Sequence, residues 1–280
     1  MPKPPILTFT YCLSILNIRM KYLPVFRVKG EVCLMIPKVI HLCWFGGGEK
    51  TEEVKRFIEG WKKVLPDYEL REWNESNFDI HQNRYMEEAH ACRKWAFVTD
   101  YVRLSVLHHQ GGIYLDTDVE VFKSLDPFLN EKAFLGFESK DMVSTGIMAC
   151  EKGHPQFLDF LKLYENRSFL KEDGEPDLTT NVRTLTKRLL EKGMKPNGRK
   201  QTVAGITLFE QTLFSPNTLG MVFGKRPQKT VTIHHYAGSW QEKGFRNKSF
   251  SYRLMHYAGG VLRNLLGTDG YAGLREKKKE

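Results

Sequence analysis

Two carboxylates separated by one residue end the apolar run of GGIYLDTDVE, residues 111–120. On an extended backbone, alternate residues point to the same side, so Asp116 and Asp118 can converge on one object while Thr117 points away. Neighbouring carboxylates repel each other unless a cation lies between them. Hard divalent ions such as Mg²⁺ and Mn²⁺ favour oxygen ligands and often bind together with substrate phosphates. The spacing predicts a metal site of this kind, against the alternative of a turn or capping pair.

A second charged pair precedes these aspartates, on a segment that is otherwise apolar. Asp100 and Arg103 are three residues apart in RKWAFVTDYVRLSVLHHQ, residues 93–110. That spacing makes them neighbours on one face of a helix. The pair is interpreted either as part of a site or as a partly buried structural ion pair.

Three known acidic or phosphate-binding motifs were compared with the sequence. An EF-hand loop from Asp116 would need Gly and Glu where Val121 and Pro127 stand, and GGGEKT lacks the lysine directly after the last glycine that a P-loop requires. DTDV fits the motif of phosphatases with an aspartyl nucleophile, but it lies in the middle of the chain with no evident second acidic cluster downstream. The phosphatase remains a weaker alternative.

Strand and helix patterns alternate around these residues. Strands are predicted at 39–45, 68–73, 113–115, 134–137 and 146–150, with a last strand entering a loop at 231–240. Helices are predicted at 51–65, 154–166 and 180–191, and residues 84–110 are predicted as one long helix or two joined ones. The alternation predicts an α/β sandwich with a largely parallel sheet. In such sheets ligands bind beyond the carboxyl ends of the strands, where Asp116 and Asp118 stand.

Composition narrows the class and the partners of the protein. Of 280 residues, 41% are hydrophobic, and five scattered cysteines form no CxxC pair, which favours a globular protein of a reducing compartment over a zinc ribbon or disulfide framework. The net charge of +9 suggests an anionic partner, and residues 241–280 hold nine basic and four acidic residues, or 9 − 4 = +5. No base-reading motif supports nucleic-acid binding.

Three regions are expected along the chain. Residues 1–34 form an N-terminal extension, either upstream of a native start at Met35 or weakly ordered; residues 35–240 form the main domain; residues 241–280 form a basic C-terminal segment. Within that segment, Phe250–Leu266 mixes aromatic, aliphatic and basic residues. It is interpreted either as a membrane-surface segment or as a helix packed on the domain.

The segment AFVTDYVRLSVLHHQGGIYLDTDVE, residues 96–120, resembles the A-x-x-(S/T)-D-x-x-R…GGIYxDxD block of glycosyltransferase family 32. IPKVIHLCWFGG resembles that family's first strand, and STGIMACEKGHP and IHHYAGSW resemble its later blocks, in the same order. The family includes bacterial capsule and exopolysaccharide transferases, yeast-type mannosyltransferases and, more distantly, glucosylating clostridial toxins. The resemblance implies a GT-A fold, a Rossmann-like sheet flanked by helices, that binds a nucleotide sugar and retains anomeric configuration.

The same resemblance implies roles for individual residues. Trp44 matches an aromatic residue that stacks on the nucleotide base, Tyr114 one near the ribose and sugar, and Asp100 and Arg103 a pair that contacts the donor sugar. Asp116 matches a residue facing ribose, sugar and metal, and Asp118 a direct metal ligand. Glu138 and Asp141 are carboxylates near the motif to which no role is given.

The late block IHHYAGSW is expected to complete the donor site. His235 is predicted as a metal ligand, with His234 as the competing choice because adjacent strand residues point to opposite faces. Ser239 and Trp240 are predicted to bind the diphosphate from a loop that closes over the donor.

The expected protein is a retaining glycosyltransferase dependent on Mn²⁺ or Mg²⁺. It would move a sugar, with UDP-hexose favoured over GDP-mannose, to a glycan or lipid-linked acceptor in polysaccharide or capsule synthesis, in the cytoplasm or at the inner face of the membrane. The alternative from another class is a catalytically silent module that binds nucleotide sugars or glycans.

Overall fold

The computed structural model describes residues 25–28, 31–216, 225–236, 258–267 and 270. The chain divides into two compact units, residues 1–34 and 35–280. In the first unit, Val25–Val28 (β1) pairs with Glu31–Leu34 (β2) as an antiparallel hairpin that the sequence patterns do not predict. The main sheet and the candidate site belong to the second unit.

A mixed seven-stranded sheet forms the centre of the second unit. Its strands are Val39–Cys43 (β3), Glu69–Trp73 (β4), Gly112–Leu115 (β5), Ala133–Phe137 (β7), Val143–Cys150 (β8), Gln201–Val203 (β9) and Ile206–Phe209 (β10). Their order across the sheet is β4-β3-β5-β8-β7-β10-β9. Only β8 and β9 run against the other five strands, because β8 is antiparallel to β5 and β7, and β9 to β10. The predicted α/β class and mostly parallel sheet are confirmed.

Two further strands form a separate small sheet. Val119–Val121 (β6) pairs antiparallel with Thr232–His234 (β11). The late strand predicted at residues 231–240 is therefore present, over three residues, but it joins β6 and not the main sheet. Strand β6 directly follows the DxD segment in the chain, so its pairing brings β11 next to that segment.

Helices flank the sheet. They are Glu52–Val64 (α1), Arg84–Ala91 (α2), Trp95–Gln110 (α3), Pro155–Lys162 (α4), Asn181–Glu191 (α5), the single turn Gln211–Phe214 (α6) and residues 258–267 (α7). The pattern at 84–110 proves to be two helices, separated at Arg93, which adopts the left-handed φ of 55°. No helix among the described residues is both long and apolar enough to cross a bilayer.

The sheet is buried on both faces. Tyr114 of β5 packs in one apolar cluster with helices α2 to α5, whereas Ile113 and Leu115 pack in a second cluster with Trp61 of α1. Alternate residues of a strand point to opposite faces, so a short apolar strand serves both clusters. Asp116 is the first residue of the chain beyond this double burial, at the carboxyl end of β5.

Candidate active site

The backbone of the DxD segment is held from both sides. The Asp116 amide donates to the Gly146 carbonyl of β8 (2.9 Å), and the Val119 amide donates to the Asp116 carbonyl (2.9 Å), closing a tight turn. The Trp61 indole N–H of α1 donates to the Val119 carbonyl (2.8 Å). Both aspartates are thereby fixed at the edge of the sheet where strand β5 ends.

Pairing between β6 and β11 brings a histidine to the aspartates. His234 is the register partner of Val119, and the His235 amide donates to the Asp118 carbonyl (3.0 Å). The Nε2 atom of His234 lies 3.1 Å from Asp118 Oδ1 and 3.8 Å from Asp116 Oδ2. One ligand atom from each of the three residues lies within 4.8 Å of the others.

His235, which the sequence analysis predicts as the metal ligand, contacts other residues than the two aspartates. Its Nε2 lies 2.8 Å from Glu120 Oε2, and its ring stacks on Phe57 with centroids 5.0 Å apart. Consecutive strand residues point to opposite faces, so only one of the two histidines can face the aspartates. The register with β6 selects His234.

Arg103 lies between two carboxylates. Its Nη1 is 3.1 Å from Asp116 Oδ1, and its Nη2 is 3.4 Å from Asp100 Oδ1. Nη1 also donates to the Thr145 carbonyl of β8 (2.7 Å), and the guanidinium stands 4.6 Å from the centroid of the Tyr114 ring. With its side chain only 5% exposed, Arg103 is an interior charge that orients Asp116.

Asp100 is held in the interior by a residue that the sequence patterns do not single out. Asn181, the first residue of α5, donates its amide to Asp100 Oδ2 (3.3 Å) and its side-chain Nδ2 to the Asp100 carbonyl (3.4 Å). Burial raises the pKa of Asp100 to about 7, although the Arg103 charge opposes that rise. The structural ion pair is thus present, and contact of this pair with a donor sugar stays a prediction.

Tyr114 lies behind Asp116 instead of facing an open ligand site. Its hydroxyl donates to Asp116 Oδ1 (2.8 Å), and the residue is 1% exposed. Its place near the ribose and sugar of a donor stays a prediction. Its observed contact makes it a residue that orients Asp116.

Trp44 follows β3 and is half-buried. Its indole N–H donates to the Gly48 carbonyl (2.6 Å), and the Lys50 ammonium lies 5.5 Å from its ring centroid. The first contact holds the glycine-rich loop, and stacking on a nucleotide base stays a prediction. Ser239 and Trp240 lie outside the described residues.

Gly146 leaves the space that His234 occupies. A Cβ atom at this position would lie 2.7 Å from His234 Nδ1 and 3.2 Å from Asp116 Oδ2. His234 Nδ1 is buried and has no hydrogen-bond partner within the part of the chain that the structure describes. Although burial lowers the pKa of His234, the carboxylates of Asp118, Asp116 and Glu138 outweigh it and raise the pKa to about 9.

The donor set of Asp116, Asp118 and His234 fits a divalent cation. Two carboxylates and one imidazole are ligands that Mn²⁺ accepts, and Mg²⁺ binds the carboxylates. Their mutual approach within 4.8 Å is compatible with a single ion. The Nε2 atom of His234, and not Nδ1, approaches the two carboxylates, so it is the ring nitrogen that would bind the cation.

Comparison with known proteins agrees with this chemistry. Residues 51–135 match the family model described as a glycosyltransferase sugar-binding region containing the DXD motif. Inositol phosphoceramide mannosyltransferase 3 of Schizosaccharomyces pombe is 32% identical over 143 residues, which are 45% of this chain and 36% of the relative. Mannosyl phosphorylinositol ceramide synthase CSH1 of Saccharomyces cerevisiae is 31% identical over 136 residues, 46% of this chain and 35% of the relative.

These similarities cover only parts of the proteins concerned. The chain spans about a third of the length of these curated relatives. The solved structure of the PaToxG glycosyltransferase covers 57% of this chain and 72% of its own, with 19% identity and a TM-score of 0.43. The family match includes Asp100, Arg103, Tyr114 and both aspartates, whereas Trp44 and His234 lie beyond it.

Proposed function

We propose that the chain is a metal-dependent, retaining glycosyltransferase that moves a hexose from a nucleotide sugar to a glycan or lipid-linked acceptor. The observation that carries the proposal is the group of Asp116, Asp118 and His234 at the carboxyl end of β5. Both aspartates lie within the region that matches the DXD sugar-binding model. This group lies at the carboxyl ends of the parallel strands, where open α/β sheets bind ligands.

The side chains of the candidate site would have different roles in binding the nucleotide sugar. Asp118 and His234 would hold the cation, and Asp116, fixed by Arg103 and Tyr114, would complete the ligand set. A divalent cation, when bound, supplies positive charge that stabilises the leaving diphosphate. Arg103 keeps Asp116 in one orientation, because its guanidinium is itself held by the Thr145 carbonyl.

The donor and acceptor classes follow from two sources. The sequence resemblance favours a UDP-hexose and a role in polysaccharide synthesis. The names of the curated relatives describe mannosyl transfer in two yeasts, to inositol phosphoceramide in the first. GDP-mannose therefore joins UDP-glucose, UDP-galactose and UDP-N-acetylglucosamine among the donors to be tested.

A donor-hydrolysis panel tests the proposal. Purified full chain is incubated with Mn²⁺ and each nucleotide sugar, and release of UDP or GDP is followed. Asp118→Asn removes the charge of a proposed ligand, and Glu120→Gln is a matched control on the same strand pair, since Glu120 faces His235. We expect the wild type and the Glu120→Gln control to turn over one donor when metal is present. We expect no turnover when metal is left out, and none by Asp118→Asn.

Other outcomes separate the alternatives. Metal-dependent binding of a nucleotide sugar without turnover, also in the presence of candidate acceptors, would favour a silent binding module. Phosphate release from simple phosphomonoesters would favour the phosphatase. No binding of any nucleotide sugar with or without metal would contradict the proposal.

A further inference from the structure

Helix α7, residues 258–267, presents three leucines to solvent on one face. Leu262, Leu265 and Leu266 are 43%, 67% and 49% exposed, and their spacing places them side by side on the helix. Other exposed leucines of the described chain, Leu158, Leu178 and Leu190, lie on separate elements. Single exposed leucines are normal on a soluble surface, whereas a row of them on one helix marks a surface for interaction.

The opposite side of α7 is attached to the domain next to the candidate site. Gly259 and Gly260 are buried. Asn264 Oδ1 accepts from the Lys140 amide (3.1 Å), and its Nδ2 donates to Gln211 Oε1 (2.7 Å). A Cβ atom at Gly267 would lie 3.2 Å from Asp141 Oδ2, so the helix end lies close to the same loop. The leucine face is therefore held outward by fixed polar contacts.

That attachment places α7 at the edge of the sheet that carries the candidate site. Lys140 and Asp141 follow β7, which runs in the same direction as β5, so the carboxyl ends of both strands lie at one edge. Burial raises the pKa of Glu138, the first residue after β7, and the charges of His234 and Arg263 oppose that rise. Arg263 of α7 and His234 of the candidate site thus act on the same carboxyl group.

The positive charge of the surrounding sequence indicates which kind of partner binds the leucine face. Residues 241–280 carry nine basic and four acidic residues, and the run Arg275 to Lys279 follows α7 closely in the chain. A helix with an apolar face and adjacent basic residues binds at the interface of membranes that contain anionic lipids. An apolar protein surface would match the leucines but would not explain the excess of positive charge.

We propose that the leucine face of α7 docks on an anionic lipid surface and turns the carboxyl edge of the sheet toward that surface, with the net positive charge of residues 241–280 adding electrostatic attraction. The proposal stands on α7 and its charge, and it does not depend on the proposed glycosyl transfer. Vesicle binding can succeed or fail whatever the donor panel shows.

Vesicle flotation of the full chain tests the proposal. The probes are vesicles of phosphatidylcholine alone and of phosphatidylcholine mixed with phosphatidylglycerol. Leu265→Ser with Leu266→Ser removes the most exposed part of the face, and Leu178→Ser with Leu190→Ser is the control, because those leucines are 59% and 42% exposed elsewhere. Thermal melts of all variants check that folding is retained.

We expect the wild type and the control to float with the anionic vesicles and the α7 variant to lose at least about four-fifths of that recovery. Added salt should weaken the binding, since exposed charges are screened. Lys277→Glu, Lys278→Glu and Lys279→Glu together should weaken it as well.

Three results would overturn the proposal. The first is absence of wild-type flotation with anionic vesicles, and the second is equal recovery of the α7 variant and its control. The third is a dimer of the wild type in solution that the α7 variant abolishes, because the face would then belong to a second copy of the chain.

Discussion

The arginine cluster (Asp100, Arg103, Tyr114 and Asp116) and the histidine pair (Asp118 and His234) lie side by side and share the Asp116 region, yet they are built differently. In the arginine cluster, a guanidinium contacts two carboxylates and a β8 carbonyl in the interior. In the histidine pair, an imidazole from β11 faces an aspartate next to β6, with its other ring nitrogen buried and unpartnered among the described residues. The charged groups of the arginine cluster pair with one another, whereas those of the histidine pair place ligand atoms where a cation could bind.

Because of this difference, substitutions in the two groups should change different properties of the protein. Removing one member of a buried ion-pair network leaves an uncompensated charge in the interior, which destabilises the fold. Removing one donor of a cation site affects chiefly the affinity for the cation. Stability and metal affinity can therefore be measured separately on the two groups.

The largest effect is expected from Arg103→Ala. Because Asp100 and Asp116 would lose their shared partner, we expect the free energy of unfolding to fall by about 3–5 kcal/mol. Urea denaturation followed by tryptophan fluorescence measures it. Arg188→Ala is the control, since Arg188 pairs with Asp159 and Glu191 but is 29% exposed, and its loss should cost much less because exposed ion pairs contribute little to stability. Equal losses in both variants would show that the arginine cluster is not a special interior network.

The second effect concerns the pH dependence of the arginine cluster. Burial raises the pKa of Asp100 to about 7, above the value of about 3.9 in an unfolded chain. A carboxyl whose folded pKa is raised stabilises the fold below the unfolded pKa, and that contribution is lost as pH rises through about 7. In Asp100→Asn the side chain at this position is neutral at every pH, so this loss of stability with rising pH should not occur.

The unfolding free energy of Asp100→Asn should therefore improve relative to wild type between about pH 4 and about pH 8, by about 2–4 kcal/mol. Urea denaturation at both ends of that range gives the difference directly. A constant difference between the two proteins across the range would mean that Asp100 is ionised throughout and fully compensated by Arg103.

The sequence predicts the arginine cluster far better than the histidine pair. All four residues of the arginine cluster lie in one stretch, residues 100–116, and the helical and strand periodicities that place them act over a few residues. His234 reaches Asp118 only through the β6–β11 register, and a shift by one residue would have presented His235 instead. Choosing between adjacent histidines required that register, which neither strand's composition specifies.

The fold shows the same division. Strands such as β3 and β5 and helices such as α1 follow from apolar patterns and from punctuation by glycine, proline and a capping threonine. Three strands of the second unit are missed: β6 and β9 have three residues each and β10 has four, too short for a period to be recognised. Asn181 and Gly146 act through contacts with distant segments, so local patterns do not mark them.

Substitution of the two histidines tests the histidine pair. His234→Gln removes a proposed ligand, and we expect the affinity for Mn²⁺ to fall about 10- to 100-fold, which is about 1.4–2.8 kcal/mol. His235→Gln should leave that affinity within about twofold of wild type, because His235 contacts Glu120 and Phe57. Calorimetric titration with Mn²⁺ measures both. The reverse ranking would restore His235 as the ligand.

The smallest and most selective effect is expected from Gly146→Ala. The added methyl group would lie 2.7 Å from His234 Nδ1, closer than such atoms approach, so the imidazole must shift while all three proposed ligands remain. We expect Mn²⁺ affinity to fall up to about tenfold, or about 1.4 kcal/mol, with the arginine cluster intact.

Gly136→Ala is the matched control for that variant. Gly136 lies on β7, and its added methyl group would lie 3.1 Å from the side chain of Phe214 of α6, in the apolar core and not beside His234. It should lower stability without changing Mn²⁺ affinity, because overpacking acts on the fold as a whole. If both glycine variants bind Mn²⁺ like wild type, the position of His234 does not limit cation binding. If both lose affinity in proportion to their stability, the histidine pair depends on general packing and not on the space that Gly146 provides.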